Sequence, residues 1–210
     1  LEAAGNTPAW TDWRFYVQDD TSTPVWNIAG VTKTGTANVL FGNSFTGIGQ
    51  YRDLGNNLNL RTGAIVVGGF AAATDILRDT ASLNFQGGKL LLRRNGTGSE
   101  TETVGSINLQ YGHGELFLSA NASQTRTLAV AAALTRTNYA TALVSGNNLG
   151  GSGGAAGSTQ VTLPSAPTLI GGGGGAGSHT ISIVPFLVGG TSVTDTITGI
   201  ITADHGSTFV

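Results

Sequence analysis

The chain contains no cysteine and no methionine. The missing cysteine excludes disulfide staples, thiolate metal sites and thiol nucleophiles together, so stability has to come from packing and backbone hydrogen bonding. Charge is scarce as well: Asp, Glu, Lys and Arg make up 10% of 210 residues, against about a quarter in an average soluble domain. With a formal charge of -2 and Arg93-Arg94 as the sole adjacent basic pair, nothing resembles the cationic stripe that displaces counterions from a nucleic acid. Disorder driven by charge repulsion is excluded on the same grounds. No run of about 18 apolar residues is present to span a bilayer, and no segment sustains a helical period. Leu1 stands where an initiator Met would, which predicts that the chain begins after processing or excision.

What is present in quantity is glycine, 33 residues of it, punctuating short alternating segments. Ser82-Leu83-Asn84-Phe85-Gln86-Gly87-Gly88-Lys89-Leu90-Leu91-Leu92 is echoed by Ser106-Ile107-Asn108-Leu109-Gln110-Tyr111-Gly112-His113-Gly114-Glu115-Leu116-Phe117-Leu118. Asn57 to Val67 fits the same template upstream, and Thr127-Leu128-Ala129-Val130 begins a further match downstream. Starts separated by roughly 20 to 25 residues fall in the range of solenoid repeats, in which each turn needs a neighbour to cover its apolar face. The fold expected is all-β: a single-domain parallel β-helix, or β-solenoid, with glycine-rich corners. Its inward ladders would be built from Leu58, Leu60, Leu83, Phe85, Ile107, Leu109, Leu128 and Val130. Turns of roughly 23 residues predict about nine rungs. The four matched segments should stack on one another, and the Ala-rich stretch 128–134 reads as a strand with Ala129, Ala131 and Ala133 facing inward. Residues 1–30, with Trp10, Trp13, Phe15, Tyr16 and Trp26, read as an aromatic N-terminal cap or first rung, because a solenoid exposes its core at each end. Residues 31–210 then form the rungs, with the glycine tracts 150–157 and 171–177 as protruding loops.

The stretch Val31 to Gly47 contains Thr32-Lys33-Thr34-Gly35, then apolar Val39-Leu40-Phe41, then Gly42-Asn43-Ser44 and Phe45-Thr46-Gly47. It resembles the autotransporter-associated β-strand repeat of large bacterial surface proteins. Thr103 to Leu109, Ala132 to Arg136 and Asn147 to Gly151 resemble the region that follows those repeats. The resemblance covers most of residues 31 to 190 and implies a β-solenoid segment of a longer parent, exposed on or released from a bacterial surface.

No residue set converges on a reaction. His113, His179 and His205 lie far apart beside Gly or Ser, without the spacing of a metal-binding helix. Gly42 to Gly47 is spaced like the start of a phosphate loop, but Ile48 and Gly49 replace the required Lys and Ser/Thr. The glycine tracts lack the recurring Asp of calcium-binding repeats. Asp75, Arg78 and Asp79 are the one tight cluster of opposite charges. No catalytic residue, metal site or cofactor is assigned, and the leading expectation is a non-enzymatic structural or adhesive segment of an extracellular, cell-surface protein, with a surface glycan as candidate ligand. The alternatives are a self-assembling filament or matrix subunit joined by end-strand pairing, and a polysaccharide lyase or hydrolase on a β-helix. The filament alternative rests on an edge built from Ile181, Ile183, Phe186, Ile197, Ile200 and Ile201, for which Pro185 is the one blunting device.

Overall fold

The computed structural model describes residues 12–15, 30–36, 38–41, 56–67, 77–93, 98–151, 155–173, 180–191, 199–204 and 208–209. The strands are β1 (Asp12–Phe15), β2 (Val31–Lys33), β3 (Asn38–Phe41), β4 (Asn57–Leu60), β5 (Ala64–Val67), β6 (Ser82–Phe85), β7 (Lys89–Leu92), β8 (Glu100–Val104) and β9 (Ser106–Leu109). They continue with β10 (His113–Leu118), β11 (Arg126–Val130), β12 (Thr135–Arg136), β13 (Thr141–Gly146), β14 (Thr159–Thr162), β15 (Leu187–Gly190), β16 (Gly199–Ile200), β17 (Ala203–Asp204) and β18 (Thr208–Phe209). Among the described residues there is no helix.

The protein is an all-β solenoid whose strands stack in parallel on three faces. One face orders β1-β3-β5-β7-β10-β13-β15-β16, a second β2-β4-β6-β9-β12, and the third β8-β11-β14-β18-β17. These are called the long, ladder and charged faces below. Three successive turns, β6–β8, β9–β11 and β12–β14, place a strand on every face. Register partners on the ladder face lie 24 to 27 residues apart, whereas β14 follows β11 after 33 residues and β15 follows β13 after 45. Among the described residues the long face has seven strands in parallel before β16 reverses direction, against the nine rungs expected, because the turns are longer than 23 residues and the C-terminal segment folds back.

Alternation decides which residues fill the tube. In β4 and β9 each second residue is buried, and Leu58, Leu60, Leu83, Phe85, Ile107, Leu109, Leu128 and Val130 are all core residues at 6% exposure or less. Successive Cβ atoms point to opposite sides of a strand, so one register aligns the whole inward ladder: Leu58 lies beside Leu83 and Leu83 beside Ile107. One void of about 10 Å³ is apolar, lined by residues such as Phe85, Ile107, Leu116 and Leu187. It offers a water none of the polar partners that hold one.

Two expectations are corrected. Leu128 does not continue the ladder of Leu83 and Ile107: β11 belongs to the charged face, with Leu128 opposite Glu102 and Val161, and the strand that stacks on β9 is β12. An alternating apolar pattern specifies inside against outside but not which of three faces it occupies. Nor do the alanines point inward, since Leu128 and Val130 are buried while Ala129 is half-exposed and Ala131 and Ala133 are exposed. The larger apolar side chains win the interior because each removes more surface from water.

At the ends, β1 pairs in parallel with β3, Trp13 opposite Val39 and Phe15 opposite Phe41; Trp10, Tyr16 and Trp26 lie outside the described residues. The C-terminal segment reverses: β16 pairs antiparallel with β15, and β18 with β14. The first glycine tract is described at its margins, where the Gly150 N–H donates to Thr159 O of β14 at 3.1 Å and the Gly157 N–H to Gln124 O, in the loop before β11, at 2.8 Å.

Candidate binding surface

The outward side of the ladder face is a hydrogen-bonded column of neutral side chains. Thr32, Asn59, Asn84, Asn108 and Thr135 occupy one register position in five successive turns. Asn59 Nδ2 donates to Thr32 Oγ1 at 3.2 Å, Asn84 Nδ2 to Asn59 Oδ1 at 2.9 Å, and Asn108 Nδ2 to Asn84 Oδ1 at 2.9 Å. Thr135 Oγ1 closes the column by donating to Asn108 Oδ1 at 2.6 Å. An amide can donate to the turn on one side while accepting from the turn on the other, so stacked copies satisfy each other. A second column runs beside it: Arg61 Nε donates to Gln86 Oε1 at 2.8 Å, and Gln86 Nε2 donates to Gln110 Oε1. Lys33 ties the first corner, its Nζ donating to Thr34 O and Gly35 O at 2.7 Å and to Thr62 O of the next turn at 3.3 Å.

The corner leading from the ladder face to the long face repeats a backbone conformation. Leu60, Phe85, Leu109 and Arg136 are register partners, and two or three residues beyond them the chain enters the left-handed region at Gly63 (φ 66), Gly87 (φ 102), Gly112 (φ 71) and Tyr139 (φ 55). Glycine supplies the left-handed residue in three turns, and Asn138 with Tyr139 in the fourth. A residue with a Cβ costs roughly 1–2 kcal/mol there. Asn138 is left-handed too (φ 49), and the Ala140 N–H donates to Thr137 O at 3.0 Å, which defines a type I′ turn. Such turns favour Asn-Gly; here the pair is Asn138-Tyr139. The Tyr139 side chain gains no burial in exchange, being 92% exposed.

The corner is firmly held. The Thr137 N–H donates to Leu109 O at 2.8 Å, Thr137 Oγ1 and Asn138 Nδ2 both donate to Gln110 O at 3.0 Å, and Arg136 Nε donates to Ala140 O at 2.7 Å. These bonds set it directly on the preceding corner, where Tyr111 is 43% exposed and donates its hydroxyl to Gln86 Oε1 at 2.9 Å. The Arg136 guanidinium also lies 4.9 Å from the centre of the Phe186 ring.

A concentration of charge lies inside. On the charged face the inward positions include Glu100, Glu102 and Arg126, at 5%, 0% and 2% exposure. Arg126 Nη1 bonds Glu100 Oε2 and reaches Arg93 O at 3.2 Å, while Nη2 stands 4.0 Å from Glu102 Oε2. Glu102 Oε1 accepts the Leu77 N–H at 2.6 Å. Burial holds the Arg126 guanidinium below the ordinary arginine value, and the Glu102 carboxylate offsets part of that shift. The cluster joins two turns and two loop backbones, and it is closed to any substrate.

The residues singled out from sequence are dispersed. Arg78 is half-buried and its Nη1 donates to Asn56 Oδ1 at 3.3 Å; Asp79 is exposed in the turn before β6, and Asp75 lies outside the described residues. His113 is exposed, with Nδ1 2.8 Å from Thr141 Oγ1, and His179 and His205 lie outside the described residues. Of the edge residues, Ile183 bridges to Ile170, Ile181 is half-buried, and Phe186 packs against the core. Ile200 is 54% exposed on β16, whereas Ile201 is 1% exposed and its carbonyl accepts the Val184 N–H at 2.8 Å. Ile197 lies outside the described residues. Among the described residues no three His, Asp or Glu side chains are grouped to hold a metal, and no helix is long and apolar enough to cross a membrane.

Sequence reasoning passed over Tyr139 and the Glu100–Glu102–Arg126 cluster. The signal for Tyr139 was a tyrosine aligned with the corner glycines of the preceding turns; for the cluster it was a Glu-x-Glu pair with an arginine about one turn later. No family model, curated protein or solved structure matches this chain.

Proposed function

We propose that the chain is a non-enzymatic structural or adhesive segment of a bacterial cell-surface or extracellular protein. The observation that carries this reading is the division of labour in the solenoid: a packed interior, apolar apart from the enclosed Glu100–Glu102–Arg126 cluster, and outside it neutral amides and hydroxyls arranged in register over five turns. A stack of this kind gives a rigid spacer with backbone pairing along its axis and repeated, uncharged groups for contact. The resemblance to autotransporter-associated repeats supports the same reading, and Lys33 of the Thr-Lys-Thr-Gly segment has a structural task in it, clamping carbonyls of two turns. Joining through the C-terminal end is the less supported alternative, because β16 occupies the free side of β15.

The test has two parts. Antibody against the 210-residue chain should label intact cells that produce the parent protein, and the purified chain should release neither reducing ends nor unsaturated products from a polysaccharide panel. Cleavage that disappears in Asp79→Asn would establish the lyase or hydrolase alternative instead.

A further inference from the structure

We propose that the stacked corners carrying Tyr111 and Tyr139 form a binding site for a neutral pyranose glycan, an inference that rests on the adhesive reading and names its ligand class. Tyr139 keeps a backbone conformation that the preceding corners give to glycine, yet its ring is 92% exposed. A strained residue held by its surroundings is a mark of a functional position. No interior packing accounts for a tyrosine there, so the ring's use lies in solvent. The frame is already set: four hydrogen bonds to the corner and the turn beneath hold the backbone, so little order has to be imposed when a ligand arrives.

The surroundings select the ligand. Tyr111, one turn earlier, adds a second partly exposed ring fixed by its bond to Gln86. Gln86 Nε2 donates to Gln110, and Gln110 Nε2 donates to Asn84 of the first column, which leaves each amide a second N–H for a hydroxyl. Rings beside amides suit a molecule with apolar C–H faces and a hydroxyl-bearing edge, as a pyranose has. A single-stranded nucleic acid would also stack on tyrosines but needs a cationic groove for its phosphates. Of the two nearby arginines, Arg61 bonds Gln86 and Arg136 bonds Ala140 O and covers Phe186.

The test uses the 210-residue chain in native gels containing a soluble β-1,3-glucan, a xyloglucan, a galactomannan or dextran. At least one should retard the wild type. Tyr139→Gly should bind about tenfold more weakly while melting at the same or a higher temperature, and Tyr139→Trp should retain binding. Three results would overturn the proposal: retardation by none of the four, unchanged binding in Tyr139→Gly, or a lowered melting temperature in that variant, which would make the ring structural. Labelling of intact cells separates the two readings. If the chain is on the surface but binds none of the glycans, this site assignment fails alone; if it is not on the surface, the adhesive reading fails whatever the gels show.

Discussion

Arg126 sits where the neighbouring inward positions of its own strand are Leu128 and Val130. Enclosing a guanidinium is tolerable because Glu100, Glu102 and the Arg93 carbonyl meet it, and removing it would strand two buried carboxylates. Arg126→Ala should therefore lower unfolding free energy by about 3 to 5 kcal/mol. Arg61→Ala, which removes an exposed side chain bonded to Gln86, should cost under about 1 kcal/mol. Urea unfolding of both variants checks the contrast, and equal losses would mean that the buried cluster is not closed. This cluster was illegible beforehand for a physical reason. Glu-Thr-Glu-Thr-Val alternates equally well with either set inward, and glutamate is normally the solvated partner. Only the arginine one turn on makes the inverted pattern affordable.

At the scale of the strand, the amide column and the apolar ladder are two sides of the same register. Ser82-Leu83-Asn84-Phe85 and Ser106-Ile107-Asn108-Leu109 could be matched from sequence because both the inward and the outward residues repeat, 24 positions apart for the two asparagines. β12 could not be matched in the same way. Thr135 replaces Asn and Arg136 replaces an inward Leu or Phe, and a longer corner precedes the next strand of the long face. The column itself is testable by a double-mutant cycle on Asn84→Ala and Asn108→Ala. Each single change leaves an amide without its partner, and the pair should couple by about 0.5 to 1.5 kcal/mol. Additive losses would show that the two amides stand side by side without bonding.

The whole molecule is a stack with different ends. Its C-terminal segment turns back, so that β16 and β18 cover the last strands of two faces and Ile201 enters the core. Ile201→Asp would place a carboxylate at that buried position and release the cover from β15. We expect the variant to self-associate in sedimentation over a concentration series more strongly than the wild type, since an open parallel edge is a template for another strand. Sedimentation indistinguishable from wild type would mean that the fold-back does not guard the end.

The amide column, the buried cluster and the tyrosine corner all depend on one claim: each turn lies in parallel register on the next. The absence of cysteine makes that claim directly testable by cross-linking. Thr101→Cys with Thr127→Cys places two thiols at paired positions on adjacent turns of the charged face, within the roughly 4.4–6.8 Å between Cα atoms that a disulfide requires. Asn108→Cys with Ala129→Cys places them on different faces. Mild oxidation should close the first pair rapidly within a single chain and leave the second reduced. Closure of the second pair with the first left open would put β11 on β9 and contradict the three-faced stack.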